Sequence, residues 1–326
     1  MNTVNPKHVR VDKESMESFL YLLAQKAGMP EQKAAFLSKL LVKNDLRGIF
    51  SHGSRQMATY ARIIRDNGLN PDPEVKIVSD SSSTIVLDGD GGLGYYAAYA
   101  AAENIVDRCR NSGIAAVVTK NHGHIGAAGI YARLLAEQKL ISFVTSGHQL
   151  NLCADHSIMR AAGGSPMAFG VPAGNQPPMV LDFGTMHDLY EGSPHVTELF
   201  SLAPGMVFRS MGLGFICQAM GGFLAGIPLY EDRALRLYKE ANQGALIIAL
   251  EIGRFFDFDK FKSEMDAYIE MAGNMQPMPG YKKAYLSGIL EYHREKDWSI
   301  SGIPVDDNHR SILSNAAVEF DLELPF

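Results

Sequence analysis

Thr84-Ile85-Val86-Leu87-Asp88, running into Gly89-Asp90-Gly91-Gly92-Leu93-Gly94, is the stretch on which the fold turns. A β-branched run passes into a glycine loop, and Gly89, Gly91 and Gly94 stand at the Gly-x-Gly-x-x-Gly spacing of a Rossmann phosphate loop. That loop also requires an acidic residue about 20 positions on, at the end of a second strand. Here Glu103 and Asp107 fall inside the helix expected from about Tyr96 to Asn111. The loop therefore reads as a structural turn.

Outward from that loop, Ile114-Ala-Ala-Val-Val-Thr119 is a continuous apolar run of the kind central strands show. Strands are expected at 84–88, 141–145, 179–183 and 245–250, with a helix over 130–137. Toward the N-terminus, Phe19, Leu20, Leu22 and Leu23 recur at helical spacing until Gly28-Met29-Pro30. Pro30 opens a second helix with Phe36, Leu37, Leu40 and Leu41 on its apolar face. A third starts near Ser54 and stops at Asn67-Gly68. Asp257 and Asp259 introduce an amphipathic helix over 258–271, and a last helix covers about 307–320. Helices thus occupy both ends and strands the middle. The expected plan is discontinuous, with 1–111 and 257–326 forming a helical domain and 112–256 a strand-rich one.

A chain of 326 residues is roughly two domains at ~150 residues each. With 30 Lys and Arg against 36 Asp and Glu, and no long basic run, it lacks the basic face of a nucleic-acid binder. Cys109, Cys153 and Cys217 share no metal-ligand spacing and cannot all pair, and the polar N-terminus lacks a signal-peptide core, so a cytoplasmic location is expected. Gly212–Leu229 carries no charge over 18 residues but contains five glycines and Pro228. It is expected as a buried glycine-rich helix rather than a membrane span.

Seven of the ten histidines lie between His52 and His195. His122 and His124 would share a face of an extended segment, yet no carboxylate or cysteine supports them at metal-ligand spacing, so no metal is expected. Two clusters carry more chemistry. Ser51-His52-Gly53 follows Asn44-Asp45-Leu46-Arg47-Gly48 and precedes Arg55 and Tyr60. Imidazole can give and take a proton near neutral pH, and Arg47 or Arg55 could grip a carboxylate through two charge-assisted hydrogen bonds. The second, Asn121-His122-Gly123-His124-Ile125-Gly126-Ala127-Ala128-Gly129, ends the 114–119 strand and opens a helix, where small residues let a ligand approach the backbone.

At these clusters the chain resembles the type 2 malate/L-lactate dehydrogenase family, which includes malate, sulfolactate, ureidoglycolate and diketogulonate oxidoreductases and cyclic-imine reductases. The matching residues are Asp45–Gly53, Leu87-Asp88-Gly89 with Leu93-Gly94, Asn121 with His124–Tyr131, Gly163–Phe169, Pro177–Asp182, the 258–271 helix and Gly302-Ile303-Pro304.

The resemblance implies an α+β fold with a non-Rossmann cofactor domain on a mixed, largely antiparallel sheet, and a helical domain built from both termini. It also implies a homodimer with the active site near the interface. By resemblance His52 is the proton donor and acceptor, Ser51 adjoins it, and Asp182 is an active-site carboxylate whose job would be to orient a histidine. Arg47, Arg55, Tyr60 and His124 would meet a small carboxylate substrate. Asn121, His124, Gly126, Gly163, Ser165, Thr185 and Arg209 would meet NAD or NADP.

The chain also departs from the family. No Gly-Lys pair follows Asp182-Phe183-Gly184-Thr185-Met186, where Glu191-Gly192-Ser193 comes next, and the stretch from Gly192 to Gly205 is short. A later Lys-Gly becomes Arg209-Ser210, and Thr-Asn-Pro becomes Gly164-Ser165-Pro166. The expected activity is hydride transfer between a nicotinamide and a small 2-hydroxy or 2-oxo acid. The alternatives are reduction of a pyrroline or piperideine carboxylate, and a non-redox relative that has lost the nicotinamide.

Overall fold

The computed structural model describes residues 4–190 and 192–326; Glu191 lies outside the described residues. Along the chain come β1 (His8–Val11), α1 (Lys13–Lys26), α2 (Glu31–Leu46), α3 (Arg55–Arg65), β2 (Lys76–Asp80), β3 (Thr84–Asp88), α4 (Gly94–Ser112) and β4 (Ile114–His122). Next are α5 (Gly129–Glu137), β5 (Leu140–His148), β6 (Pro166–Val171), β7 (Met179–Gly184), α6 (Val196–Leu202), α7 (Pro204–Gln218) and β8 (Gln243–Glu251). The last are α8 (Phe258–Gly273), α9 (Ile289–Ser301), β9 (Ile303–Asp306) and α10 (Asp307–Phe320).

The chain forms two compact units, one from the residues up to Asp72 with Gly288–Phe326, the other from Pro73–Ser287. In the first, β1 pairs antiparallel with β9, joining the two ends of the chain. Three carboxylates start its helices or theirs across the fold by the same device. Asp12 accepts from the Ser15 amide, Asp306 from the His309 amide, and, in the second unit, Asp257 from the Lys260 amide. Met16, Leu20, Leu23, Leu37, Leu41 and Met57 fill the core of the first unit.

In the second unit a seven-stranded sheet has the order β2-β3-β4-β8-β5-β6-β7. Only β3 and β4 pair in parallel, and α4 supplies the crossover between them; every other neighbouring pair is antiparallel. The sheet is therefore mixed and largely antiparallel, and the fold is α+β. Gly89 and Gly94 serve packing here. A Cβ on Gly89 would lie 2.7 Å from that of His122, and one on Gly94 2.7 Å from His122 Nδ1. The Gly91 amide donates to the Asn121 carbonyl and the Gly123 amide to that of Gly92, so the two glycine-rich loops zip together.

Two expectations need correction. The boundaries at 111/112 and 256/257 both fall inside the second unit. The β2–β3 hairpin is bonded into the sheet, and Asp266 on α8 accepts the Gly174, Asn175 and Gln176 amides at 2.7–3.0 Å, so residues 73–111 and 257–287 cannot part from it. The 212–229 segment is also only half a core helix. Val207, Met211, Gly214, Cys217 and Gln218 face inward, whereas Met206, Leu213, Ile216, Phe223 and Leu224 are exposed. Among the described residues no single helix is long and apolar enough to cross a membrane; the pair Val196–Leu202 and Pro204–Phe223 has the composition but is bent by 117°.

Candidate active site

In the first unit α2 ends at Leu46, and Gly48, at φ +78°, lets the chain reverse into a short turn over Phe50–His52 before α3 begins. This places His52 half-buried, with the Ser51 hydroxyl 2.9 Å from its Nδ1. One ring nitrogen is thus engaged by Ser51. Burial depresses the imidazole pKa below its ordinary value, so the neutral form prevails at neutral pH. The Asn44 amide group donates to the His52 carbonyl at 2.8 Å, fixing the backbone beneath the ring.

The structure separates the two candidate arginines. Arg47 is buried and committed: its Nε and Nη2 meet the two carboxylate oxygens of Glu295 at 2.8 and 3.2 Å. That fork-to-fork pair braces α2 against α9, which corrects the expectation of Arg47 as a substrate grip. Arg55 makes one bond, from Nη2 to Asp306 at 3.1 Å, and its Nε is buried with no hydrogen-bond partner among the described residues. Its guanidinium lies 5.8 Å from the Phe50 ring centroid, and Phe50 stacks on Trp298 at 5.9 Å, so the head group is held in place with donor capacity to spare. Tyr60 is 2% exposed, on the packed side of α3 with Met57, Ala61 and Ile64, and is not presented as a substrate contact.

In the second unit the end of β4 carries the other cluster. His122 is wholly buried, bonded through Nε2 to the Thr119 hydroxyl and through Nδ1 to the Gly123 carbonyl, and burial pushes its pKa down to about 4. It is a neutral packing residue. His124 is partly exposed on the same loop, and its carbonyl accepts the Gly94 amide. Asn121, at φ +54°, donates to Asp88 at 2.7 Å and keeps a buried Oδ1 without a partner. Gly126 is fixed by packing, because a Cβ there would collide with Tyr95. Asp182, on β7, lies against Gly129 at the start of α5, where a Cβ would stand 2.5 Å from its Oδ2 and 2.8 Å from Arg133 Nη1. A helix start and a cation thus surround that carboxylate.

The remaining expected cofactor residues divide by direction. Ser165 and Thr185 are buried. Ser165 Oγ donates to the Gly214 carbonyl at 3.0 Å and also contacts the Ala162 carbonyl. Thr185 Oγ1 has no partner and would lie 3.1 Å from a Cβ on Gly214 of α7. Both hydroxyls face the packing under α7, which also encloses Ala162, Met186, Leu189, Val207 and Met211. Arg209 is exposed and stands five positions before the inward-facing Gly214, on the opposite side of that helix. What remains accessible is backbone. Gly163 has φ +62°, and a Cβ on Gly164 would meet nothing nearer than His148 Cε1 at 4.0 Å. A Cβ on Gly163 would instead press on Gln218 Oε1 at 3.0 Å and His148 Cε1 at 3.2 Å, so the open backbone is that of Gly164, which a flat ring or a pyrophosphate could approach, and the unpartnered Asn121 Oδ1 offers an acceptor in the same unit. Cationic help is sparse, since Arg160 and Arg209 are the only Lys or Arg between positions 140 and 230.

Sequence reasoning missed the polar groups behind His52. Asp45 opens the quoted motif and Ser54 directly follows it, but neither carries a spacing signal, and His309 is 255 residues from Ser54, its partner at 2.6 Å. The one available cue was Asp306 three places before His309, a helix-capping spacing.

The turn between α2 and α3 carries a half-buried histidine and, three residues on, an arginine with a buried donor that has no partner among the described residues. Residues 11–187 match the family described as Malate/L-lactate dehydrogenase, and the chain belongs to that family. It is 27% identical over 335 residues to the malate dehydrogenase of Pyrococcus abyssi, covering 93% of this chain and 92% of that one. It is 22% identical over 359 residues to the ureidoglycolate dehydrogenase (NAD(+)) of Escherichia coli, covering 98% and 99%. The solved malate dehydrogenase of Pyrococcus horikoshii superposes with a TM-score of 0.82 at 23% identity, covering 99% of both chains. Kinship thus makes the chain a hydroxy-acid dehydrogenase in the broad sense.

Proposed function

We propose that the protein is an NAD(P)-dependent oxidoreductase of small 2-hydroxy and 2-oxo acids, with His52 as the proton donor and acceptor and Arg55 as the carboxylate grip. The observation that carries this reading is the pairing of a half-buried His52, engaged at Nδ1 by Ser51, with an Arg55 whose Nε is buried and unfilled. A bound nicotinamide would exchange hydride with the substrate carbon. The Nε2 of His52 takes the hydroxyl proton in the oxidising direction and returns it to the carbonyl oxygen in the reducing one. Because burial lowers the His52 pKa, the resting imidazole is ready to act as the base. Arg55 fixes the acid group so that proton and hydride move on one geometry. Backbone at Gly164, with Asn121, would hold the dinucleotide.

Steady-state rates on matched 2-oxo acids and cyclic imines, with NADH and NADPH, test the reading. Turnover of the acids supports it, faster turnover of the imines transfers the same residues to a nitrogen acceptor, and failure to bind either dinucleotide by calorimetry removes the redox role. The exposed apolar side of α7 supports a homodimer, to be tested by sedimentation. Cys109, Cys153 and Cys217 stand as free thiols, in keeping with a reducing compartment.

A further inference from the structure

Between β5 and β6 an exposed arch carries a cluster of donors that the proposed chemistry does not use. Its entry is pinned at Asn151, which has φ +48°. The Asn151 amide donates to the Leu229 carbonyl at 2.9 Å, and its Oδ1 receives the Glu231 amide at 2.9 Å and Gln149 Nε2 at 2.8 Å. The exit is pinned at Ser157, whose hydroxyl caps the short turn over Ile158–Ala162 by accepting the Met159 amide. Between the two the chain closes a tight turn, in which the His156 amide donates to the Cys153 carbonyl at 3.1 Å. The His156 ring folds back over the same turn, its Nδ1 accepting the Cys153 amide at 3.2 Å. As a result Cys153 Sγ, a carboxylate oxygen of Asp155 and a ring nitrogen of His156 all lie within 4.8 Å of one another. Cys153 and Asp155 are exposed and His156 is half-buried, and the thiol makes only a loose contact, 3.9 Å, with the Asn151 carbonyl.

We propose that Cys153, Asp155 and His156 form a binding site for a thiophilic divalent cation of the Zn²⁺ class. The donor set decides the class. A thiolate and an imidazole favour Zn²⁺ and its transition-metal neighbours, whereas Mg²⁺ and Ca²⁺ take oxygen ligands. Zn²⁺ binds Cys sulfur at about 2.3 Å and His nitrogen or carboxylate oxygen at about 2.0–2.2 Å, so the edges of its tetrahedron are about 3.5 Å. From separations within 4.8 Å the donors must close by roughly 1 Å, which exposed side chains do by turning about χ1 while the pinned backbone stays in place. The imidazole is already prepared, because the bond from the Cys153 amide keeps a lone pair on Nδ1. The metal takes that lone pair in place of a 3.2 Å contact and leaves the amide to water. On binding, the thiol gives its proton to solvent and the bonds from sulfur, oxygen and nitrogen replace three bonds from the ion to water, with no change of oxidation state. Water keeps the fourth corner. Spacing between cysteines gives no hint of this site, since Cys109 and Cys217 are buried elsewhere; three different donor types converge within four residues because the 153–156 turn folds them together.

The test is titration of the reduced, chelator-treated, tag-free full chain with Co²⁺ as the spectroscopic probe and Zn²⁺ as its competitor. One Co²⁺ per chain is expected, with a thiolate-to-cobalt charge-transfer band in the near ultraviolet and the intense visible bands of a tetrahedral site, all erased by Zn²⁺. Cys153→Ser removes the charge-transfer band. Asp155→Asn and His156→Ala each weaken Zn²⁺ binding at least about tenfold, the loss that even a residue behind a metal ligand commonly causes. Cys153 is the one exposed cysteine, so it reacts fastest with a disulfide reagent, and Zn²⁺ slows that reaction. Absence of the charge-transfer band, its survival in Cys153→Ser, or unchanged thiol reactivity under saturating Zn²⁺ overturns the proposal. Zn²⁺ affinity held within about twofold in both Asp155→Asn and His156→Ala overturns it as well. Should a variant fail to fold, the wild-type spectrum and the protection of its thiol decide. Turnover enters none of these measurements, so the site stands or falls apart from the oxidoreductase reading.

Discussion

Two motif-bearing regions meet very different fates. Residues 44–55 bury Asn44, Asp45, Arg47 and Ser54 but leave two groups open: the His52 ring is half-buried and Arg55 has a donor to spare. Residues 163–165 with 185 turn theirs inward, and Ser165 and Thr185 face the apolar packing under α7. The lesson is that matching a motif tells where the backbone goes, while the neighbours decide whether a side chain is chemistry or packing. In the first region a tight turn between two helices keeps His52 and Arg55 partly exposed while Asp45 and Ser54 go into the core. In the second, α7 lies across the strand ends and takes them in.

The sharpest way to break this contrast is His52→Ala. Turnover should fall ~100- to 10,000-fold, the range of a lost general acid–base, while calorimetric dinucleotide affinity stays within about twofold. Unchanged turnover would strip the first region of its role. Next come the two arginines. Arg55→Ala should lower kcat/KM for the acid by about 100-fold, the loss of one charge-assisted contact worth about 2–3 kcal/mol. Arg47→Ala should instead destabilise the fold by about 2 kcal/mol in urea unfolding, because it orphans Glu295. If the kinetic loss follows Arg47 and the stability loss Arg55, the division is reversed.

The pH dependence sharpens the same point. A lowered His52 pKa means that oxidation, which needs the neutral ring, should climb about tenfold per pH unit below that pKa, with its inflection below about pH 6.5. Reduction should fall as pH rises through the same value. An inflection above 6.5 in the free-enzyme profile would assign the proton to another group. The smallest effects belong to the second region. Thr185→Val should leave both stability and dinucleotide affinity nearly unchanged, since its hydroxyl bonds to nothing described. Ser165→Ala should cost about 1 kcal/mol of stability through the lost bond to Gly214, with affinity intact. A large affinity loss in either would restore a cofactor role to the side chain.

Much of this architecture was legible in the sequence where periodicity is local. The apolar run at 114–119, the Pro30 helix start and the Asp257 cap each declare themselves within a few residues. The rejection of a phosphate loop at 89–94 rested on a missing acid, and the structure supplies the positive reason, since those glycines pack against His122. What stayed illegible is long-range. β1 and β9 are four-residue strands that exist because each finds the other. The fully exposed β2 is specified by its hairpin partner rather than by any alternation of its own. In the site, nothing local distinguishes Arg47 from Arg55; the difference is Glu295, almost 250 positions away.

That β1–β9 pairing has a consequence for biosynthesis. Residues 8–11 are synthesised long before their partners at 303–306. Pro73–Ser287 can therefore collapse during translation while the segment before it waits, its apolar helices without their closing strand. The His52 turn is made in that waiting segment, so its final setting follows the synthesis of residues 303–306.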